Sequence, residues 1–181
     1  MHNNYLKKFH FIDNFNKDYI RSLSKSIVII YRNYLIKYNE REIIEIKKFC
    51  KKIDKKFYLA NDVRLANKLR LDGAYIPSFN KDLSVIKLKK KNIKLIGSAH
   101  NIKEVNQKKI QGMDLIFISP VFKIKKSKQF LGIIKFNILS NLINNKSVAL
   151  GGINKKNINQ IKKQKCCGFA SISYIKENRN I

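Results

Sequence analysis

The sequence predicts an α/β fold, a single (β/α)8 TIM barrel over residues 1–181 with short loops and a truncated final helix. Short apolar runs suited to buried parallel strands alternate with longer stretches of helical period, the pattern of βα units. The alternation repeats eight times, the count that closes a barrel; an open doubly wound sheet would end near five or six strands. Polar residues gather directly after the apolar runs, where such barrels carry their chemistry. A chain of 181 residues can build one core but is short against the ~250 common for this fold, so its loops must be lean.

The first run, Lys8 to Ile12, leads into a helical stretch from Phe15 to Leu23. Ile27 to Tyr31 is unbroken and mostly β-branched, and Glu40 to Lys51 then repeats Ile43, Ile44 and Ile46 on one side. Lys56 to Leu59 precedes a helix at Val63 to Leu71. Gly73 to Ile76 is the fourth run, and its crossover at Asp82 to Leu88 reads as weakly helical at best. Ile93 to Ile96 is followed by a helix from about Asn101 to Lys109. Leu115 to Ile118 leads through the longest loop to a helix at Phe136 to Leu142. Ser147 to Leu150 with Lys155 to Lys163 makes the seventh unit, and Gly168 to Ile172 with the short Tyr174 to Glu177 the eighth. Pro77 and Pro120 are the only prolines, and no Pro/Ser-rich linker divides the chain.

Lys and Arg total 39 against 12 Asp and Glu, a formal net charge of +27. The lysines are strewn among Ile and Asn along the whole chain, and no recognition motif accompanies them. Charge spread in this way attracts phosphates in general and specifies no nucleic acid. Cys50, Cys166 and Cys167 lack C-x-x-C spacing and read as packing residues in a reducing compartment. The opening MHNNYLKKFHFIDNF has no apolar signal core, and no run approaches the roughly 18 residues of a membrane span. The expectation is a soluble, cytoplasmic protein with no membrane partner, as a monomer or a homodimer.

Gly151-Gly152-Ile153-Asn154 follows the run ending at Leu150 and is expected to open a helix, where paired glycines let amides approach an anion closely. Ile172-Ser173 at the next strand end would add N–H groups and a hydroxyl, completing a phosphate pocket; the competing reading is a tight turn and a helix cap. Asp62, after Asn61, is either a helix cap or a hard-oxygen ligand for Mg²⁺, with Asp82 one loop onward as the second carboxylate. Ser98 can bind a ligand or cap a helix, and His100 is either a general acid/base or a structural histidine. His2 and His10 offer less, one in a tail and one within a strand. The loop from Pro120 to Lys128 is the most basic, and Lys126 and Lys128 in it could neutralise a polyphosphate or simply be solvated.

The ordered set Arg32, Asn61-Asp62, Asp72-Gly73-Ala74-Tyr75-Ile76, Gly97-Ser98-Ala99-His100-Asn101 with Glu104, Ser119-Pro120-Val121-Phe122, Ala149 to Ile153 and Ile172-Ser173 resembles the thiamine phosphate synthase family, which includes the TenI-type thiazole tautomerases. The resemblance runs from about Ile27 to Tyr174. It implies a transferase of thiamine biosynthesis that couples hydroxymethylpyrimidine pyrophosphate to thiazole phosphate with release of pyrophosphate. It further implies Arg32, Asn61 and Ser98 on the pyrophosphate, Asp62 and Asp82 on Mg²⁺, and Gly152, Ile172 and Ser173 on the thiazole phosphate. The family's Gln-Leu-Arg-Glu-Lys segment stands here as Ile30-Tyr31-Arg32-Asn33-Tyr34, and its Pro-Thr-x-Thr-Lys loop as Lys123 to Ser127. Two other activities stay open: a thiazole tautomerase using His100 without metal, and a non-catalytic binder of phosphorylated ligands.

Overall fold

The computed structural model describes residues 6–35, 37–89, 93–125 and 129–180. Eight parallel strands form a closed ring: β1 (Lys7–Ile12), β2 (Ile27–Tyr31), β3 (Phe57–Ala60), β4 (Gly73–Ile76), β5 (Lys94–Ala99), β6 (Leu115–Ile118), β7 (Ser147–Leu150) and β8 (Gly168–Ala170). The helices that follow them in turn are α1 (Lys17–Ser22), α2 (Glu40–Lys52), α3 (Val63–Lys68), α4 (Ser84–Leu88), α5 (Ile102–Ile110), α6 (Gly132–Asn141), α7 (Ile158–Lys162) and α8 (Ser173–Glu177). The barrel and its truncated last helix agree with the sequence.

Alternation along each strand sorts the apolar residues into two cores. One set, including Ile27, Ile29, Leu59, Ala74, Leu95 and Ile116, packs outward against helix residues such as Ile43, Ile46 and Phe136. The other fills the barrel axis, where Phe9, Phe11 and Tyr75 surround Phe117 at centroid distances of 5.0, 6.0 and 5.6 Å. The axis is therefore packed with side chains, and any small-molecule site must lie at one of its two ends.

Lys7 pairs with Gly168 where the ring closes, and the Lys7 amide donates to the Cys167 carbonyl at 2.9 Å. A Cβ on Gly168 would lie 2.1 Å from the Lys7 carbonyl oxygen, so only glycine allows the last strand this close to the first.

Four expectations need correction. β5 runs on to Ala99, so Ser98 lies inside the strand and caps nothing. The stretch before Leu88 does form a helix, α4, and α6 starts at Gly132, ahead of the expected Phe136. The Gly151-Gly152 turn does not open a helix, since α7 begins only at Ile158. The intervening residues are held in side-chain turns: Asn154 Nδ2 and Asn157 Nδ2 both donate to the Gly152 carbonyl, and Asn157 Oδ1 accepts from the Asn154 amide. Among the described residues, no helix is long and apolar enough to cross a membrane.

Gly168→Ala is expected to destabilise the barrel by about 1–3 kcal/mol, the usual cost of forcing an extra carbon into a close-packed site. Urea unfolding measures this, with Gly132→Ala as a comparison in which the added carbon meets no atom within 4 Å but sits at a positive φ.

Candidate active site at the C-terminal mouth of the barrel

Arg32 directly follows β2 and continues the inward series of Val28 and Ile30. Its guanidinium carbon sits 4.2 Å from the Phe11 ring centroid, a cation–π contact that holds the charge over the top of the packed axis. The Tyr75 hydroxyl faces both Ser98 and Arg32; burial pushes its pKa up, and these two partners act in the opposite direction. Arg32, Ser98 and Tyr75 thus form one polar cluster from strands β2, β4 and β5.

Next to it, Asn61 takes a left-handed backbone (φ 59°), and its amide donates to the Tyr75 carbonyl at 2.7 Å. Asn80 links two loops: its Nδ2 donates to Asn61 Oδ1 at 2.7 Å, and its Oδ1 accepts from the Asp82 amide at 3.0 Å. Asp62 caps α3, with Oδ1 accepting from the Leu65 amide at 2.8 Å. Asp82 accepts from the Ser84 amide (2.8 Å) and the Ser84 hydroxyl (2.7 Å), which lower its pKa, with a smaller contribution from Arg64 of α3. Asp62 is therefore a helix cap, whereas Asp82 precedes the Leu83 cap of α4 and accepts from the first helical residue. Among the described residues no cluster of three or more His, Cys, Asp or Glu could hold a metal.

The loop carrying Asn80 and Asp82 is anchored from below by a pair that the sequence reading missed. Lys108 of α5 is fully buried, and its Nζ donates to the Pro77 and Asn80 carbonyls and to Gln111 Oε1, each at 2.8 Å. Gln111 Nε2 in turn donates to the Asn80 and Asp82 carbonyls at 3.1 and 2.8 Å. One ammonium and one side-chain amide thus tie the Pro77, Asn80 and Asp82 carbonyls of this loop to α5.

His100 follows β5, and its amide donates to Glu104 Oε2 at 2.8 Å. Its Nδ1 lies 2.7 Å from the Ser119 carbonyl, which can only accept, so Nδ1 carries hydrogen, and Nε2 has no hydrogen-bond partner among the described residues. The ring borders a cavity of about 800 Å³ with Pro120, Ile124, Phe130 and Lys135. His10 has both nitrogens engaged, by the Ser171 carbonyl and the Tyr19 hydroxyl, and is structural.

β7 and β8 pair through Leu150 and Ala170, so the turns that follow them leave neighbouring strand ends. Gly151 and Gly152 have φ of 94° and 71°. A Cβ on Gly151 would lie 2.8 Å from Pro120, and one on Gly152 2.6 Å from the Phe122 and Lys123 carbonyl oxygens. These glycines thus let the loop after β6 pack onto the turn. Ile172 is half exposed, and Ser173 begins α8, whose first turn is capped by Ser171 Oγ accepting from the Tyr174 amide at 3.2 Å. Ser173 is therefore not the cap. Lys126 and Lys128 lie outside the described residues.

An aromatic rim was also missed. Tyr34 and Phe79, both exposed, meet edge to face at 5.4 Å, and Tyr38 lies close enough to Asp62 and Arg32 to feel their charges. Ile30, in place of the family's Gln, is sealed inside the barrel and offers no polar group to the mouth.

A closed parallel (β/α)8 barrel with polar side chains converging at the C-terminal ends of its strands defines the class of this protein. The model of the thiamine monophosphate synthase family matches residues 22–175, and the chain belongs to that family. It is 34% identical over 136 residues to a thiamine-phosphate synthase of Prochlorococcus marinus subsp. pastoris, covering 74% of this chain and 39% of that relative. A thiamine-phosphate synthase of Methanococcus vannielii is 30% identical over 145 residues, covering 76% of this chain and 68% of the relative. The chain thus spans about two fifths of the length of its Prochlorococcus relatives. A solved thiamine phosphate pyrophosphorylase from Pyrococcus furiosus superposes with a TM-score of 0.78 at 22% identity, over 96% of this chain and 88% of that one, and shares the fold.

Burial pushes the Lys108 pKa down from 10.5 to about 8. Between these values the unfolded chain holds a proton that the folded chain has released, so this residue makes stability rise with pH across that window. Lys108→Met is expected to remove this part of the pH dependence of urea unfolding and to speed amide exchange at residues 78–84. Unchanged exchange there would show that the lysine does not hold the loop.

Proposed function

We propose that this chain is a thiamine phosphate synthase, joining hydroxymethylpyrimidine pyrophosphate to thiazole phosphate, with residues 1–181 working as one cytoplasmic barrel domain. The observation that carries the reading is the contact of Arg32 and Ser98 with one Tyr75 hydroxyl, beside Asn61 and Asp62. In the reaction the bond from the pyrimidine methylene carbon to the pyrophosphate oxygen breaks, and the oxygen keeps the electron pair. The thiazole nitrogen lone pair then forms the new C–N bond.

Arg32, Asn61 and Ser98 would hold the departing pyrophosphate, and the guanidinium would stabilise the charge that grows on it. Asp62 and Asp82 fit a Mg²⁺ held mainly by substrate phosphates and water, because two carboxylates, each already accepting N–H bonds, form no cage of their own. When bound, the ion would neutralise the leaving group. The turns at Gly151-Gly152 and Ile172-Ser173 would receive the thiazole phosphate through backbone amides, and Lys126 and Lys128 would approach the anions from the loop after Pro120. The exposed Tyr34–Phe79 pair offers a stacking surface for the pyrimidine where the family has Gln and Lys. A homodimer would suit the exposed Ile134 and Ile138, one turn apart on α6.

The Nε2 of His100, without a partner among the described residues and beside the cavity of about 800 Å³, favours a second reading as a thiazole tautomerase with this nitrogen as the acid/base.

With both precursors, the synthase reading expects thiamine phosphate by mass spectrometry in the presence of Mg²⁺ and none in excess chelator. Arg32→Ala and Asp62→Ala should each lower kcat by about a hundredfold or more, the scale of losing one preorganised charge contact. Metal-independent isomerisation of the thiazole, abolished in His100→Ala, would select the tautomerase. Binding of thiazole phosphate without turnover of either kind would leave a non-catalytic binder.

A further inference from the structure

The opposite end of the barrel, where strands begin, also opens into a cavity, of about 600 Å³. Its floor is the lower surface of the packed axis, made by Phe9, Val28, Ile96, Leu115 and the ring of Tyr58. The ring lies across Gly73, where a Cβ would come within 1.8 Å of it, so the missing side chain fixes its place. Burial and the nearby carboxylates of Asp72 and Asp114 raise the Tyr58 pKa to about 12, which keeps the hydroxyl a neutral donor.

Five lysines border the opening, each at or beside the start of a strand: Lys7, Lys25, Lys56, Lys94 and Lys146. Two carboxylates, Asp54 and Asp114, border it with them. Asp114 is shared by Lys89 at 2.9 Å and Lys94 at 3.8 Å and accepts from the Leu95 amide. Lys7, Lys25, Lys56 and Lys146 have no ion pair among the described residues. Like charges around one concave opening repel, and an anion seated among them would relieve that repulsion.

We propose that this lower mouth is a second binding site, distinct from the C-terminal mouth, for a small anion with an apolar ring-shaped body, such as an aryl phosphate. The lysines would take the anionic group, and the floor of Phe9, Ile96 and Leu115 would take the ring. The size matches a small-molecule pocket, and the mix of apolar floor and charged rim separates this place from a merely basic surface.

Methyl-labelled protein titrated with phenyl phosphate tests the proposal. Saturable shifts are expected at the methyls of Val28, Ile96 and Leu115, with inorganic phosphate binding about tenfold more weakly because it cannot use the floor. Lys56→Glu with Lys146→Glu should weaken phenyl phosphate by about tenfold or more, whereas Lys48→Glu with Lys52→Glu, the same change in net charge on α2, should leave it unaltered. If the acidic pair prevents folding, Lys56→Gln with Lys146→Gln should show a smaller loss in the same direction. Equal weakening by both pairs would reduce the effect to overall charge and overturn the proposal. Shifts confined to Val121 and Ile153 near the upper mouth, or no shifts at all, would do the same.

Discussion

The approach of β8 to β1 at Gly168 and Lys7 is the constraint on which the rest of this structure depends. With the ring shut, every strand has two hydrogen-bonded neighbours and no edge is left open. Closure also decides where chemistry can occur, because the axis fills with Phe9, Phe11, Tyr75 and Phe117 and leaves only the two mouths. β8 also pairs with β7, which sets the Ile172-Ser173 and Gly151-Gly152 turns at the ends of neighbouring strands. Residues about twenty-one apart in sequence become neighbours through strand order alone.

Eight strands were legible because each is a short apolar run, and runs such as Ile27 to Tyr31 are too brief and too β-branched to be helices. Helix limits were less legible where local side-chain bonds compete with the pattern. Around Asn154 and Asn157, two side-chain amides bind the Gly152 carbonyl and delay α7, something hydrophobic period does not report. Strand-end polarity pointed to Arg32, Asn61 and Ser98, and these residues do meet Tyr75, with Asp62 next in the chain after Asn61. Tyr75 was given no role of its own because an aromatic residue in a strand reads as core, which it also is, with only its hydroxyl reaching the cluster. Lys108 went unnoticed because one lysine among 39 basic residues reads as surface.

The glycine pair after β7 shows how one residue choice serves two ends. Its positive φ values fit an amide turn toward an anion, yet the closer restraint is steric, since Phe122 and Lys123 carbonyls occupy the space a Cβ would need at Gly152. The loop after β6 is tied down further by the Val121 amide donating to the Leu150 carbonyl and the Phe122 amide to that of Gly151. Packing of this loop and shape of the glycine turn are therefore one variable.

Lysine abundance has a structural use here beyond solubility. Lys55 and Lys108 are both buried, and neither has a carboxylate within ion-pair distance among the described residues. Each instead donates to backbone carbonyls of a loop, Lys55 to those of Leu23 and Ser24, and Lys108 to those of Pro77 and Asn80. Burial lowers both pKa values to about 8. The desolvation cost is tolerated because an ammonium offers three donors where a short loop turns several carbonyls inward, and acidic side chains are scarce. In a chain with lean loops, this substitutes for the longer connections that would otherwise let those carbonyls reach water. At the lower mouth, by contrast, Lys7, Lys25, Lys56 and Lys146 have no ion pair among the described residues, so lysine there is not consumed in holding the fold.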